Sequence, residues 1–182
     1  MVVRATRTPS LSSCACKLKK ASNTPKMVRG DRIIDTSAED VYAIGDAVKF
    51  PLPQWNIDSV NIAHFQAAQS HGQMLAYSIE GNPYPHELVP FFMTKFFLEY
   101  TIQFAGCPKD ADEEIVHGNL SELNFAKYYL KGDVVVAVAS SGDIPTAVQF
   151  LELFRRKIKI TREDLNRNKT RDWMAWLNPK DQ

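Results

Sequence analysis

Gly45 and Asp46 close the short apolar run Val41-Tyr42-Ala43-Ile44, and that arrangement has a chemical use. A glycine removes the side chain where a ligand must come close to the backbone. An aspartate at the C-terminal edge of a buried strand presents an acceptor where α/β sheets bind ligands. Its oxygens can take hydrogen bonds from the hydroxyls of a sugar alcohol. A helix following the strand would add free N–H groups and the positive end of its dipole, aimed at an electron-rich group. Taken alone, Gly-Asp after four apolar residues is a weak signal, and an ordinary turn is the better reading of it.

These residues need elements to hold them. Val41 to Ile44 reads as a short buried strand stopping at a loop. Phe50-Pro51-Leu52-Pro53 reads as a loop, because prolines remove backbone donors. Asn61 is placed to cap a helix, and Phe65, Ala68, Gly72, Leu75, Ala76 and Ile79 recur on one helical face. Gly81-Asn82-Pro83 stops that helix.

Strand patterns follow. Val89 to Phe97 predicts a core strand and Phe96 to Phe104 an aromatic-rich one, with a short strand at Glu114 to Val116. Leu123 to Leu130 and Val134 to Ala139 flank Lys131-Gly132-Asp133, a hairpin turn. Asp143 and Pro145 open a helix with Ile144, Val148, Leu151 and Phe154 on one face. Thr161 and Asp164 have the spacing of a capping box. Trp173 and Trp176 are expected to seal a terminal helix, with a partner surface as the alternative.

Composition sets limits on this reading. The 182 residues are 45% hydrophobic and 24% charged, with a net charge of +1, so nothing in the overall charge favours nucleic acid or an anionic membrane. No apolar run reaches the ~18 residues of a membrane-spanning helix. Cys14, Cys16 and Cys107 are too few and scattered for a disulfide framework, and Cys14-x-Cys16 has no second ligand pair for zinc. Residues 1–30 carry seven Lys or Arg and no Asp or Glu. They read as a basic lead-in, either disordered or an organellar transit peptide, which makes a mitochondrial or cytoplasmic location the expectation.

The full segment Thr36-Ser37-Ala38-Glu39-Asp40-Val41-Tyr42-Ala43-Ile44-Gly45-Asp46 resembles the second FAD-binding motif of the flavoproteins with two dinucleotide folds, among them ferredoxin reductases and apoptosis-inducing factors. Asp46-Ala47-Val48-Lys49-Phe50-Pro51-Leu52 and Val60-Asn61-Ile62-Ala63-His64-Phe65-Gln66 are similar to the type-3 apoptosis-inducing factors. Val89 to Thr94, Tyr100 to Gly106, Gly118-Asn119-Leu120 and Phe125 to Ser140 resemble that branch's C-terminal reductase domain. The resemblance implies FAD as cofactor, with Gly45 and Asp46 near its ribityl or pyrophosphate part. It also implies that His64, Phe65 and Gln66 lie near the flavin, their backbone amides stabilising charge at N1/C2=O. Read without the resemblance, His64 is a solvated histidine at a helix end. Where this chain has Met93 the family commonly has a tryptophan, so flavin contact there is not carried over.

The expected fold is therefore an α/β remnant, consisting of strand, loop and long helix, followed by a small α+β reductase C-terminal domain with an antiparallel sheet. The expected domains are residues 1–30 as lead-in, 31–82 as the end of the FAD-binding domain, and 83–182 as the reductase domain. In intact relatives the implied reaction passes electrons from NAD(P)H via FAD to an acceptor. The sequence holds no G-x-G-x-x-G and no C-x4-C, and Arg29 to Asp35 reads as a shortened hairpin before the motif. Losing four charge-assisted cofactor contacts costs roughly 6–12 kcal/mol, which takes tight binding to millimolar or worse. The chain is accordingly expected to be non-catalytic alone. The alternative is a non-catalytic interaction or dimerisation module, with homodimerisation left open.

Overall fold

Glycine, proline and asparagine punctuate the chain into short elements, and the computed structural model describes residues 2–4 and 41–177. The Cys14–Cys16 pair, Thr36, most of the basic lead-in and the expected hairpin at Arg29 to Asp35 lie outside the described residues. The chain divides into two units, Met1–Pro85 and His86–Gln182.

In the first unit, β1 (Val2–Arg4) pairs antiparallel with β2 (Val41–Ala43), with Val3 opposite Tyr42. Three residues of the expected lead-in thus belong to a strand. β2 is half-buried rather than buried, and Ile44 just after it is the residue that enters the core, packing with Leu75. A 3-10 turn, Gly45–Ala47, follows. The segment expected as a proline loop is instead a strand, β3 (Phe50–Leu52), paired with β4 (Ile57–Val60). Pro51 is tolerated because the register breaks between Phe50 and Leu52; at a bulge the missing proline donor leaves no ladder bond unmade.

α1 (Phe65–Ile79) is the one long helix of this unit among the described residues. Asn61 is not its cap. His64 holds that position, its Nδ1 accepting from the Gln66 N–H at 3.2 Å. The buried side is Ala67, His71, Met74 and Leu75, rotated from the expected face, so that Phe65 and Ile79 are 60% and 54% exposed. The end is as the sequence suggested. Gly81 adopts φ +72°, and the Asn82 and Gly81 amides donate to the Tyr77 and Ser78 carbonyls, the double bond pattern of a glycine-terminated helix.

The second unit is a five-stranded antiparallel sheet in the order β5-β6-β9-β8-β7. Its strands are β5 (Phe91–Phe96), β6 (Tyr100–Gly106), β7 (Glu113–Asn119), β8 (Asn124–Lys131) and β9 (Val134–Ser141). The single aromatic strand expected over Phe96 to Phe104 is interrupted by a hairpin turn, where Phe97 and Leu98 take positive φ and are 88% and 83% exposed. β5 is an edge strand, half-buried or exposed along its length. Its Phe92 nevertheless stacks on its cross-strand neighbour Phe104, ring centres 4.9 Å apart.

α2 (Thr146–Arg155) packs on β6 and β9. It buries Ala147, Phe150, Leu153 and Phe154, while the expected face residue Val148 is 40% exposed. α3 (Arg162–Arg167) starts with the expected capping box. Trp173 is fully buried ahead of a 3-10 turn, Met174–Leu177, not within a terminal α-helix. Its ring packs edge-on against Tyr128 and Phe150, and its indole N–H donates to the Tyr128 hydroxyl at 3.2 Å. An antiparallel sheet with few helices is the expected reductase-domain architecture.

Candidate functional site

The Gly45–Asp46 turn is built onto α1. Gly45 has φ +73°, and a Cβ there would lie 3.1 Å from the Ala68 Cβ. Only glycine accepts both the left-handed backbone and so close a helix. The Gly45 N–H donates to Nδ1 of His71 at 3.1 Å, and the two lie 26 residues apart in sequence. Asn61 clamps the other side of the turn, its Nδ2 donating to the Asp46 carbonyl at 3.0 Å and the Val48 carbonyl at 2.6 Å. Asp46 itself is exposed, so its backbone is held while its side chain faces water.

His64, Phe65 and Gln66 stand at the start of α1, His64 as its cap and the other two in its first turn. The cap narrows what their amides can do. The Gln66 N–H is taken by the His64 ring and the His64 N–H by the Ile62 carbonyl. Among the described residues the Phe65 N–H has no such acceptor. The His64 and Phe65 rings lie 4.7 Å apart, tilted by 33°.

His71 is the residue that sequence reasoning passed over. It is buried, with Phe50 edge-on to its ring at 4.5 Å. Burial lowers its pKa from 6.5 to about 4, so the imidazole is neutral at physiological pH and Nδ1 is free to accept. The available signal was spacing: His71 follows His64 by seven residues, two turns along one helix face. Asn61 was singled out for the wrong bond, since its side chain points back to the turn instead of forward to the helix.

The other expectations fall elsewhere. Met93 lies in β5 opposite Gln103 and is 45% exposed. Cys107 is buried and forms no disulfide among the described residues. Among the described residues no group of three His, Cys, Asp or Glu could hold a metal, and no helix is long and apolar enough to cross a membrane.

A five-stranded antiparallel sheet packed by short helices in one unit, and a glycine-aspartate turn docked on a helix in the other, define a reductase C-terminal region. Residues 98–172 match the family model described as Reductase C-terminal. The chain is 33% identical over 154 residues to apoptosis-inducing factor 3 of Homo sapiens, covering 82% of this chain and 25% of that protein. It is 26% identical over 133 residues to a probable ferredoxin reductase of Castellaniella defragrans, covering 71% of this chain and 32% of that protein. The fold is similar to that in the crystal structure of a covalent putidaredoxin reductase–putidaredoxin complex, with a TM-score of 0.66 at 22% identity. That match covers 73% of this chain and 31% of the solved one. Residues 98–172 thus form a reductase C-terminal domain, and the chain corresponds to the C-terminal part of an FAD-dependent reductase. It spans about a quarter of the length of the apoptosis-inducing factor 3 proteins it matches.

Proposed function

We propose that this chain is the C-terminal portion of a flavoprotein oxidoreductase that, in intact relatives, passes electrons from NAD(P)H via FAD to an acceptor. The observation that carries the reading is the Gly45–Asp46 turn, docked on α1 and clamped by Asn61. The residues present fit the cofactor. Gly45 leaves a side-chain-free approach, Asp46 offers an exposed carboxylate to ribityl or pyrophosphate-proximal groups, and the first turn of α1 offers a positive dipole end.

When bound, FAD supplies the hydride acceptor and the site for one-electron release. This chain's residues bind and orient it. Asp46 would accept hydrogen bonds from its hydroxyls, and the Phe65 amide would be available to stabilise charge developing on the flavin ring. The exposed face of Phe65 offers apolar contact, and His64 fixes the helix entry through its bond to the Gln66 N–H. The sequence holds no G-x-G-x-x-G to cradle a pyridine nucleotide, so the chain alone is non-catalytic on this reading.

Titration of the purified chain with FAD, followed by flavin fluorescence and calorimetry, tests it. The expected dissociation constant is millimolar or weaker, with Asp46→Ala weaker still. Stoichiometric FAD on the protein as purified would overturn the claim that the segment is insufficient.

A second reading, an interaction or dimerisation module, keeps one observation. The hairpin tip at Phe97 and Leu98 is exposed. Trp173 no longer supports it, since that side chain is fully buried within its own unit. Sedimentation mass of the chain and of Phe97→Ser/Leu98→Ser decides; a monomer in both sinks this reading.

A further inference from the structure

The Gly45 N–H is the donor that joins the turn to α1, and its acceptor is a side chain rather than a carbonyl. The acceptor, His71 Nδ1, sits on a helix two turns beyond His64 and is covered by the edge-on ring of Phe50. Its other nitrogen, Nε2, is buried with no hydrogen-bond partner among the described residues. A ring that accepts at Nδ1 must carry its proton at Nε2 when neutral. The orphaned Nε2–H is therefore the accepted cost of keeping Nδ1 available. A helix could bury Leu or Met at this position with no orphan at all. The buried polar group is explained by what it holds.

We propose that His71 is the positioning residue of the cofactor turn: its Nδ1 fixes the Gly45 peptide, and so the direction from which Asp46 presents its carboxylate. The proposal rests on the reading of Gly45 and Asp46 as cofactor-binding residues. Three contacts converge on this one turn. Ala68 sets how near the helix stands, Asn61 holds the Asp46 and Val48 carbonyls, and His71 holds the Gly45 N–H. Without His71 the Ile44–Gly45 peptide has no partner for its N–H among the described residues and is free to rotate about the glycine. A loss of one hydrogen bond of this kind changes an opening equilibrium about 5- to 10-fold.

The device is sensitive to acid. Protonation of Nδ1 replaces the acceptor with a second donor facing the Gly45 N–H. The elements around the ring carry Asp46 in the turn and Lys49 just ahead of β3, and its own helix carries His64 and Tyr77. Burial, rather than any of these groups, is what keeps the ring neutral.

The test uses the full chain and solution NMR. Long-range 15N–1H spectra of His71 are expected to show the Nε2–H tautomer. The Gly45 amide is expected to be protected from exchange, with the protection factor falling about 5- to 10-fold in His71→Leu and restored in His71→Asn, whose Oδ1 stands where Nδ1 stood. The same protection is expected to fall as pH drops from 6.5 to 4 in the wild type and to stay flat in His71→Asn. An Nδ1–H tautomer, or unchanged Gly45 protection in His71→Leu, overturns the proposal. If His71→Leu fails to fold, the wild-type tautomer and the His71→Asn pH profile decide it. Added FAD separates the two claims. Shifts at Gly45 and Asp46 in the wild type support the cofactor reading, whereas protection lost in His71→Leu without any FAD-induced shift leaves His71 positioning the turn and sinks that reading.

Discussion

The two units bury histidines in opposite circumstances, and the contrast separates a site from a core. In the first unit His71 bonds a backbone N–H of the Gly45–Asp46 turn, and burial alone lowers its pKa. In the second, His117 on β7 lies edge-on to Tyr128, and burial, Lys169 and Arg171 in that order lower its pKa. One imidazole holds a loop that faces water. The other fills a wall of an aromatic core. The surroundings differ in the same sense: β3 and β4 form a short two-stranded pair, whereas β8 and β9, with one register shift between Tyr129 and Leu130, pair along most of their length within a five-stranded sheet. Short, irregular pairings leave backbone groups to be satisfied by side chains, as Asn61 and His71 do. Long ladders satisfy their own.

The largest blow to this comparison would come from the second unit's core. Trp173 is fully buried against Tyr128, Phe150 and Trp176, and its backbone N–H donates to Gln149. Trp173→Ala is expected to cost about 3–5 kcal/mol, measured by urea unfolding followed by far-ultraviolet circular dichroism. A loss under ~1 kcal/mol would mean that the aromatic cluster does not anchor the unit.

Acid sharpens the contrast next. The unfolded His71 binds a proton with a pKa of 6.5 and the folded one at about 4, so between these values the unfolded state binds more protons. Its stabilising preference is complete above pH 6.5 and is lost as pH falls toward 4, by roughly 3 kcal/mol in all. His117 acts in the same direction on its own unit. Amide exchange resolved by residue, compared at pH 7 and pH 4.5, is expected to show protection lost across α1 and the turn. In His71→Asn that loss should disappear; its persistence would assign the acid sensitivity to other groups.

Much of this was legible in the sequence, and the misses have a common physical origin. The Lys131-Gly132-Asp133 hairpin, the Gly81 helix stop and the Thr161–Asp164 box are local, each set by the φ or hydrogen bond of its own residues. Pro51 misled because its missing donor matters only if a partner strand asks for it, and the bulge means none does. The faces of α1 and α2 were misphased because apolar spacing gives a period but not which side finds a partner. Ala67 and His71 won the buried side of α1 because the Gly45 turn sits there. The Gly45–Asp46 pair was legible as a type of site. The clamp around it, joining residues 13 to 26 positions apart, was not, since no local rule connects them.

Gly45→Ala probes that clamp directly. A side chain at φ +73°, 3.1 Å from the Ala68 Cβ, is expected to cost roughly 1–2 kcal/mol in left-handed strain and displaced packing. Exchange protection should fall over residues 41–79 and stay unchanged in β8 and β9. A uniform loss over both units would erase the distinction between them.

The smallest effect belongs to α3, where two kinds of interaction sit side by side. Thr161 accepts from the Asp164 N–H while the Asp164 carboxylate takes the Thr161 N–H and hydroxyl. Its neighbour Arg162 reaches Glu113 at 2.5 Å and Asp133 at 3.1 Å. The ion pairs look stronger and raise the Arg162 pKa further, yet they are formed by solvent-exposed groups, where water and salt screen most of the attraction. The cap satisfies helix-end donors that have no other partner. Thr161→Ala is therefore expected to lower stability by about 1 kcal/mol, and Glu113→Gln by less, with only the latter difference shrinking in 1 M salt. Equal losses, or a salt-sensitive loss in Thr161→Ala, would show that charge rather than capping starts this helix.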